Sequence, residues 1–549
     1  MFLDRNLLVE KEEGWALPPE LYSCWNARGL YNPTQFVLRL RPDIQKELES
    51  IEPGIKSSGE LQFQQIQAFS TYFHETIHWW QHVGSTLGLV LSLIYPAQAH
   101  INNKDLIKLI QDIGPVKSIS KYNIIYNIPL NNETDSRINR VLNNWHDIEF
   151  FRWLVIDPKK ADNIIKSPYF ESIGHSYSIA YGSILWLLSS TIDRDLGFLP
   201  DVRTWEKEFI LLNKNKVKGY YYGSEIVLPP LGAREIFEGQ ARFSQLQYLY
   251  FSSGGKMHWE DFERAGMLSG LYREAFDTFL KIIDSSWPGT PEDPLVGLFL
   301  LICDIAINPT DGFPFDLYHF PSFVLSVDPG IRFLMLCQSI QRKYPQLVDS
   351  IHGYTKEEYL EVCEILCKDI SCKTPFSAAE KICDWANTYA NCKGLLKEDN
   401  SFEFAPENLP VRLLFARFLR FQQDKFNVPE YFCWPGAWSA GDRKGGITLE
   451  KVEDLFDEHR ALFCDGIDGD IYPRTFQNKD EESVQKTFNA FYSWNATYDL
   501  TRQWIVQDGD FEYNFSWLTS KYLQSEVVAW ACNYFKDVYG VDPMSFKIL

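Results

Sequence analysis

Thr71-Tyr72-Phe73-His74-Glu75-Thr76-Ile77-His78-Trp79-Trp80 is the stretch on which the fold and the chemistry of this chain turn. It contains His-Glu-x-x-His. Residues four apart on a helix share one face, one turn from each other. That spacing lets both imidazoles reach a single zinc ion and leaves Glu75 near a metal-bound water. A chance match to these three residues is expected only roughly 0.01 to 0.02 times in a chain of this size, so the motif is informative. Zinc lowers the pKa of its water towards about 7. Glu75 is then placed to take the proton and hand it to a leaving amine.

The flanks extend the pattern. Thr71 stands three residues before the first histidine, Thr76 and Ile77 keep the interior uncharged, and Trp79 and Trp80 follow. No proline interrupts. These ten residues resemble the zincins, a family of zinc peptidases. The helical patterning along the chain predicts a mostly α (α+β) fold, and the resemblance implies a zincin-like catalytic domain with a small N-terminal β-sheet and active-site helices around Zn2+, acting on a protein or peptide substrate.

A third ligand is needed. Metzincins, one zincin subgroup, continue with Gly and then His. Here Gln81 and Gly84 occupy those positions, so that continuation fails. Gluzincins take a glutamate from a later helix. The resemblance puts that role on Glu238, in Glu238-Gly239-Gln240-Ala241-Arg242, where Ala241 and Gly239 are small enough for close approach to the motif helix. Glu235 lies on nearly the same face and is the rival. His82 is one turn beyond His78, but three successive turns of a straight helix do not converge well on one metal. It is expected to support a ligand or to be a satisfied core histidine.

Other candidates for supporting a ligand or stabilising the transition state are Arg242, Glu149, His175, Tyr181 and Tyr222. Glu149 belongs to an aromatic helix with Arg152, where it forms a buried ion pair or orients a ligand histidine. His175, Tyr177, Tyr181, Tyr220, Tyr221, Tyr222 and His319 are candidates to hold the oxyanion.

The 549 residues carry a net charge of -20, with Lys and Arg scattered. Such a chain repels phosphate backbones, so nucleic acid is not an expected partner. The most apolar runs, such as 295 to 307, fall short of the roughly 18 to 20 residues that cross a bilayer. The apolar stretch in the first residues is too short for a signal peptide and is followed by acids. A cytoplasmic protein with no membrane partner is expected, and its 11 cysteines are then expected as reduced thiols. Cys363, Cys367, Cys372, Cys383 and Cys392 crowd together, but no Cys-x-x-Cys pair occurs among them, and buried helix cysteines are the expectation.

The length predicts at least two domains. We assign 1–345 to a zincin-like metallopeptidase domain and 346–549 to a helical C-terminal domain that binds a regulatory partner or substrate, or gates the cleft. Thr34–Leu40 reads as a strand ahead of the motif helix, an edge that can align an extended substrate. Segment 120–132 reads as strand or loop, Gly88 and Pro96 as helix ends, and 394–410 and 434–447 as linkers. Two rivals remain. A di-iron carboxylate protein can use Glu75-x-x-His78 but wants a second such pair, and none is present. A non-catalytic protein with structural zinc has no use for Glu75.

Overall fold

Phe63–Gly84 folds as a single helix, the motif helix, and from Ile66 onward all of it but Phe69 is buried. A helix covered on every side belongs to the centre of a large core. The computed structural model describes residues 29–51, 61–126, 133–221, 228–441, 446–474, 479–515, 517–519 and 521–549, and they are mostly α-helical with a small sheet.

The motif helix begins where the Gln62 amide donates to the Gln65 side chain at 2.9 Å. It ends in a tight elbow. Ser85 Oγ donates to the Gln81 carbonyl (2.6 Å) and accepts from the Gly88 amide (2.8 Å). A Cβ on Gly88 would stand 1.8 Å from the Gln81 carbonyl oxygen, so the elbow needs glycine there. The next helix, Thr86–Ile113, runs straight through Gly88 and Pro96. The ends expected at those residues do not occur. Packing against the Glu133–Ile156 and Ile173–Thr191 helices outweighs the hydrogen bond that Pro96 removes.

The main sheet has four strands: β1 (Gly29–Asn32), β2 (Val37–Leu40), β4 (Phe463–Asp465) and β5 (Ile471–Pro473), in the order β1-β2-β4-β5. β3 (Val116–Lys117) and β6 (Lys547–Ile548) form a separate parallel pair. The expected strand 34–40 is shorter, because the Asn32 carboxamide accepts the Thr34 and Gln35 amides and turns the chain. β2 pairs antiparallel with β1 and parallel with β4, so it is interior. The edge strand facing the motif helix is β1. The sheet expected at the N-terminus thus draws half its strands from near residue 470, a pairing no local pattern announces.

Two further segments differ from expectation. Ile119–Tyr126 is a helix rather than a strand or loop, and 394–410 is largely helical, within Ala390–Ser401 and the start of Leu409–Asn427. Residues 127–132, in the same stretch as the first, lie outside the described ones.

Buried side chains on both sides of position 345 join one hydrophobic cluster, from Tyr31 to Phe546. The chain beyond 345 also clasps the motif helix directly. Trp80 Nε1 donates to the His459 carbonyl at 2.8 Å, and Gln422 Nε2 donates to the Gly84 carbonyl at 2.6 Å. Among the described residues, no single helix is long and apolar enough to cross a membrane.

Candidate metal centre

The helix Ala233–Ser252, the facing helix, packs along the motif helix with its own residues 235–249 all buried. Polar side chains join the two helices in antiparallel order. Gln245 Nε2 donates to Ser70 Oγ at 3.1 Å near one end. Gln81 Nε2 donates to the Phe237 carbonyl (3.0 Å) and to Gln240 Oε1 (2.9 Å) near the other. Between these bridges lie His74, His78 and Glu238, each fully buried.

Glu238 Oε2 is 3.4 Å from His74 Nε2 and 3.3 Å from His78 Nε2. The two Nε2 atoms are 3.1 Å apart. Donors bound to one tetrahedral zinc at 2.0–2.2 Å stand roughly 3.3 to 3.5 Å from one another. The three atoms therefore sit close to the edge lengths of such a site, and the donor set suits a divalent metal. Burial lowers the pKa of His74 to about 3, helped by the charge of Arg242, so its ring is neutral and able to ligate. Burial pushes Glu238 up, but His78 and His74 hold it down as a carboxylate.

Gln81, which breaks the metzincin pattern, has its Oε1 2.8 Å from His78 Nδ1. With its amide nitrogen spent on the facing helix, that oxygen is fixed and selects the tautomer that leaves Nε2 available. The residue was legible as a polar side chain one turn from His78, but its role depends on Phe237 and Gln240.

Glu75 is fully buried beneath β1. A Cβ on Gly29 would stand 2.5 Å from Glu75 Cγ and 2.7 Å from Oε1. Burial raises the Glu75 pKa to about 8, against smaller lowering effects that include His78, Arg242 and the Tyr31 amide. Gly29 and Tyr31 carried no signal in the sequence.

The remaining candidates are placed as follows. Glu235 closes the start of the facing helix, where its Oε2 accepts the Gly232 amide at 2.8 Å, and it also meets Lys159. That is a capping role, not a place in the cluster. His82 bonds the His78 carbonyl through Nδ1 at 3.0 Å and packs on the rings of Tyr31 and Phe237. Gly239 does not face the motif helix: its Cβ position is 3.2 Å from Ala275 and Phe299. Arg242 bonds Gln245 and stacks on Tyr272, whose ring in turn meets the edge of His74 at 6.2 Å between centroids. Tyr272, from the start of the helix Leu271–Ile283, was missed because nothing local marks it. It also lines a surface cavity of about 790 Å³ together with Glu235, Arg234 and Arg273.

Glu149 pairs with Arg152 and accepts from Gln98. His175 pairs with Asp147 and Glu171, and Tyr181 packs on Phe151, Tyr177 and Trp205. The structure gathers these groups around the Glu133 and Ile173 helices rather than beside His74. Tyr222 lies outside the described residues. Comparison with protein-family models, curated proteins and solved structures gave no match for this chain.

Proposed function

We propose that this chain is a zinc-dependent hydrolase that cleaves peptide bonds in a protein substrate, with His74, His78 and Glu238 holding the metal. The observation that carries this is the tetrahedral spacing of the three buried donor atoms, with Glu75 on the same helix between the two histidines. A zinc ion bound there supplies a Lewis acid and an acidified water. The protein does the rest. Gln81 holds the His78 ring in one tautomer. Glu75 accepts a proton from the attacking water at its carboxylate and returns it to the leaving amine. Arg242 adds positive charge beside the reacting groups. We place this activity in the cytoplasm, on the ground that the described cysteines are all unpaired thiols.

The test is metal analysis of the purified protein together with peptide-library cleavage by wild type and Glu75→Gln. The variant is expected to retain zinc and lose hydrolysis. Iron in place of zinc, or full activity in the variant, would overturn the assignment.

Complete burial of the group favours a second reading, a closed structural metal site. On that reading a chelator unfolds the protein, and Glu75→Gln changes nothing.

A further inference from the structure

The helix Lys356–Asp369 ends at Ile370, and Ser371 follows with φ +58°. The Cys372 amide then reaches back to the Cys367 carbonyl at 2.9 Å. This is the helix ending in which a left-handed residue reverses the chain and brings the side chain two beyond the cap against the one three before it. A hydrophobic contact frequently accompanies this ending. Here both members are cysteines, so the helix ending brings Cys367 and Cys372 together.

The two thiols have different surroundings. Cys367 is buried, whereas Cys372 is part-exposed and lines a surface cavity of about 580 Å³. Lys368, Lys373 and Lys381 line the same cavity, with Glu364 and Glu380. Buried Arg332, anchored on the carbonyls of Ile305, Ala306 and Ser326, places its positive charge near enough to Cys372 to favour the thiolate. Asp311 opposes it more weakly. The Cys367 thiol and Arg332 together hold the Cys372 pKa below the ordinary thiol value, against the effect of burial. A part-exposed cysteine beside lysines and a buried arginine, with a second cysteine brought to it by the helix ending, has the features of a reactive thiol and its resolving partner.

We propose that Cys372 is a peroxide-reactive site and that Cys367 resolves its oxidised form as an intramolecular disulfide. The Cys372 thiolate attacks one oxygen of hydrogen peroxide. The O–O bond breaks, the leaving hydroxide takes up a proton as water, and Cys372 becomes a sulfenic acid. The Cys367 sulfur then attacks the Cys372 sulfur. The S–O bond breaks, the S–S bond forms, and the hydroxyl leaves with the Cys367 proton as a second water. Two thiols are oxidised and one peroxide is reduced. The site is independent of the metal centre and of the function proposed for it. A structural link nevertheless exists, since Lys373 and Thr310 exchange two hydrogen bonds of 3.1 Å, and Pro309 accepts from Thr86 at the elbow of the motif helix.

The test uses the full-length protein and hydrogen peroxide. In the untreated wild type, iodoacetamide at pH 7 is expected to label Cys372 about tenfold faster than Cys383 or Cys464, the other part-exposed cysteines among the described residues. After peroxide, intact-mass measurement should show the loss of two hydrogens, and peptide mapping should show Cys367 joined to Cys372. Cys367→Ser should instead leave a sulfenic acid at Cys372 that dimedone traps, and Cys372→Ser should show neither product. Equal labelling of Cys372, Cys383 and Cys464, or peroxide oxidation that begins at another cysteine, would overturn the proposal.

Discussion

Gln81 Oε1 lies 2.8 Å from Nδ1 of His78, and the same side chain is tied to Phe237 and Gln240 on the facing helix. One residue thus orients a candidate ligand and sets how that ligand meets Glu238. Removing such a partner costs metal sites roughly 10- to 100-fold in affinity. Gln81→Ala is therefore expected to weaken zinc binding by about that factor, measured by competition with a chromogenic chelator. Unchanged affinity would remove Gln81 from the site.

Glu235 and Glu238 are one turn apart and do different work. Glu238→Ala should abolish stoichiometric zinc. Glu235→Ala should keep it and lower stability by about 1 kcal/mol, since it removes the side chain that caps the Gly232 amide. Metal content and urea unfolding of the two variants separate the roles, and a metal-free Glu235→Ala would reverse the assignment.

Gly29 leaves the room that Glu75 occupies. A methyl group there would press on Glu75 Cγ and Oε1. Gly29→Ala should then bind zinc normally and turn over substrate on the order of 100-fold more slowly, as expected when a catalytic group is displaced by about 1 Å. Unaltered turnover would show that β1 does not position the carboxylate.

Asp328 supplies a pH dependence away from the candidate metal centre. It is buried, caps the helix Pro329–Lys343 through the Ile331 amide and accepts the Tyr177 hydroxyl at 3.0 Å. Burial raises its pKa to about 6, above the ordinary 3.8. The folded state therefore holds its proton where the unfolded chain has released it. The stability this contributes is fully present below about pH 4 and is lost as pH rises through about 6. Asp328→Asn keeps an acceptor but cannot ionise, so its urea midpoint should gain on wild type between pH 4 and pH 7. A constant gap would contradict the shift.

The sequence by itself determined the local chemistry. His74, Glu75 and His78 share a helix because their spacing is a matter of helical pitch, and the helical character of most of the chain follows from the same periodicity. The zincin resemblance pointed to Glu238, and the structure places that side chain beside both histidines although 159 residues separate it from His78. Capping showed which of the two glutamates was committed elsewhere, a distinction that two residues on one helical face cannot make by spacing alone. Tertiary structure alone decided the surroundings: Gln81 on His78, Gly29 over Glu75, Tyr272 against His74, and the pairing of β2 with a strand from near residue 463. Each of these joins segments far apart in the chain, where the deciding quantity is the shape and polarity of a packed neighbour. No residue encodes that locally, because the energy of a buried polar contact exists only once both halves have left water together.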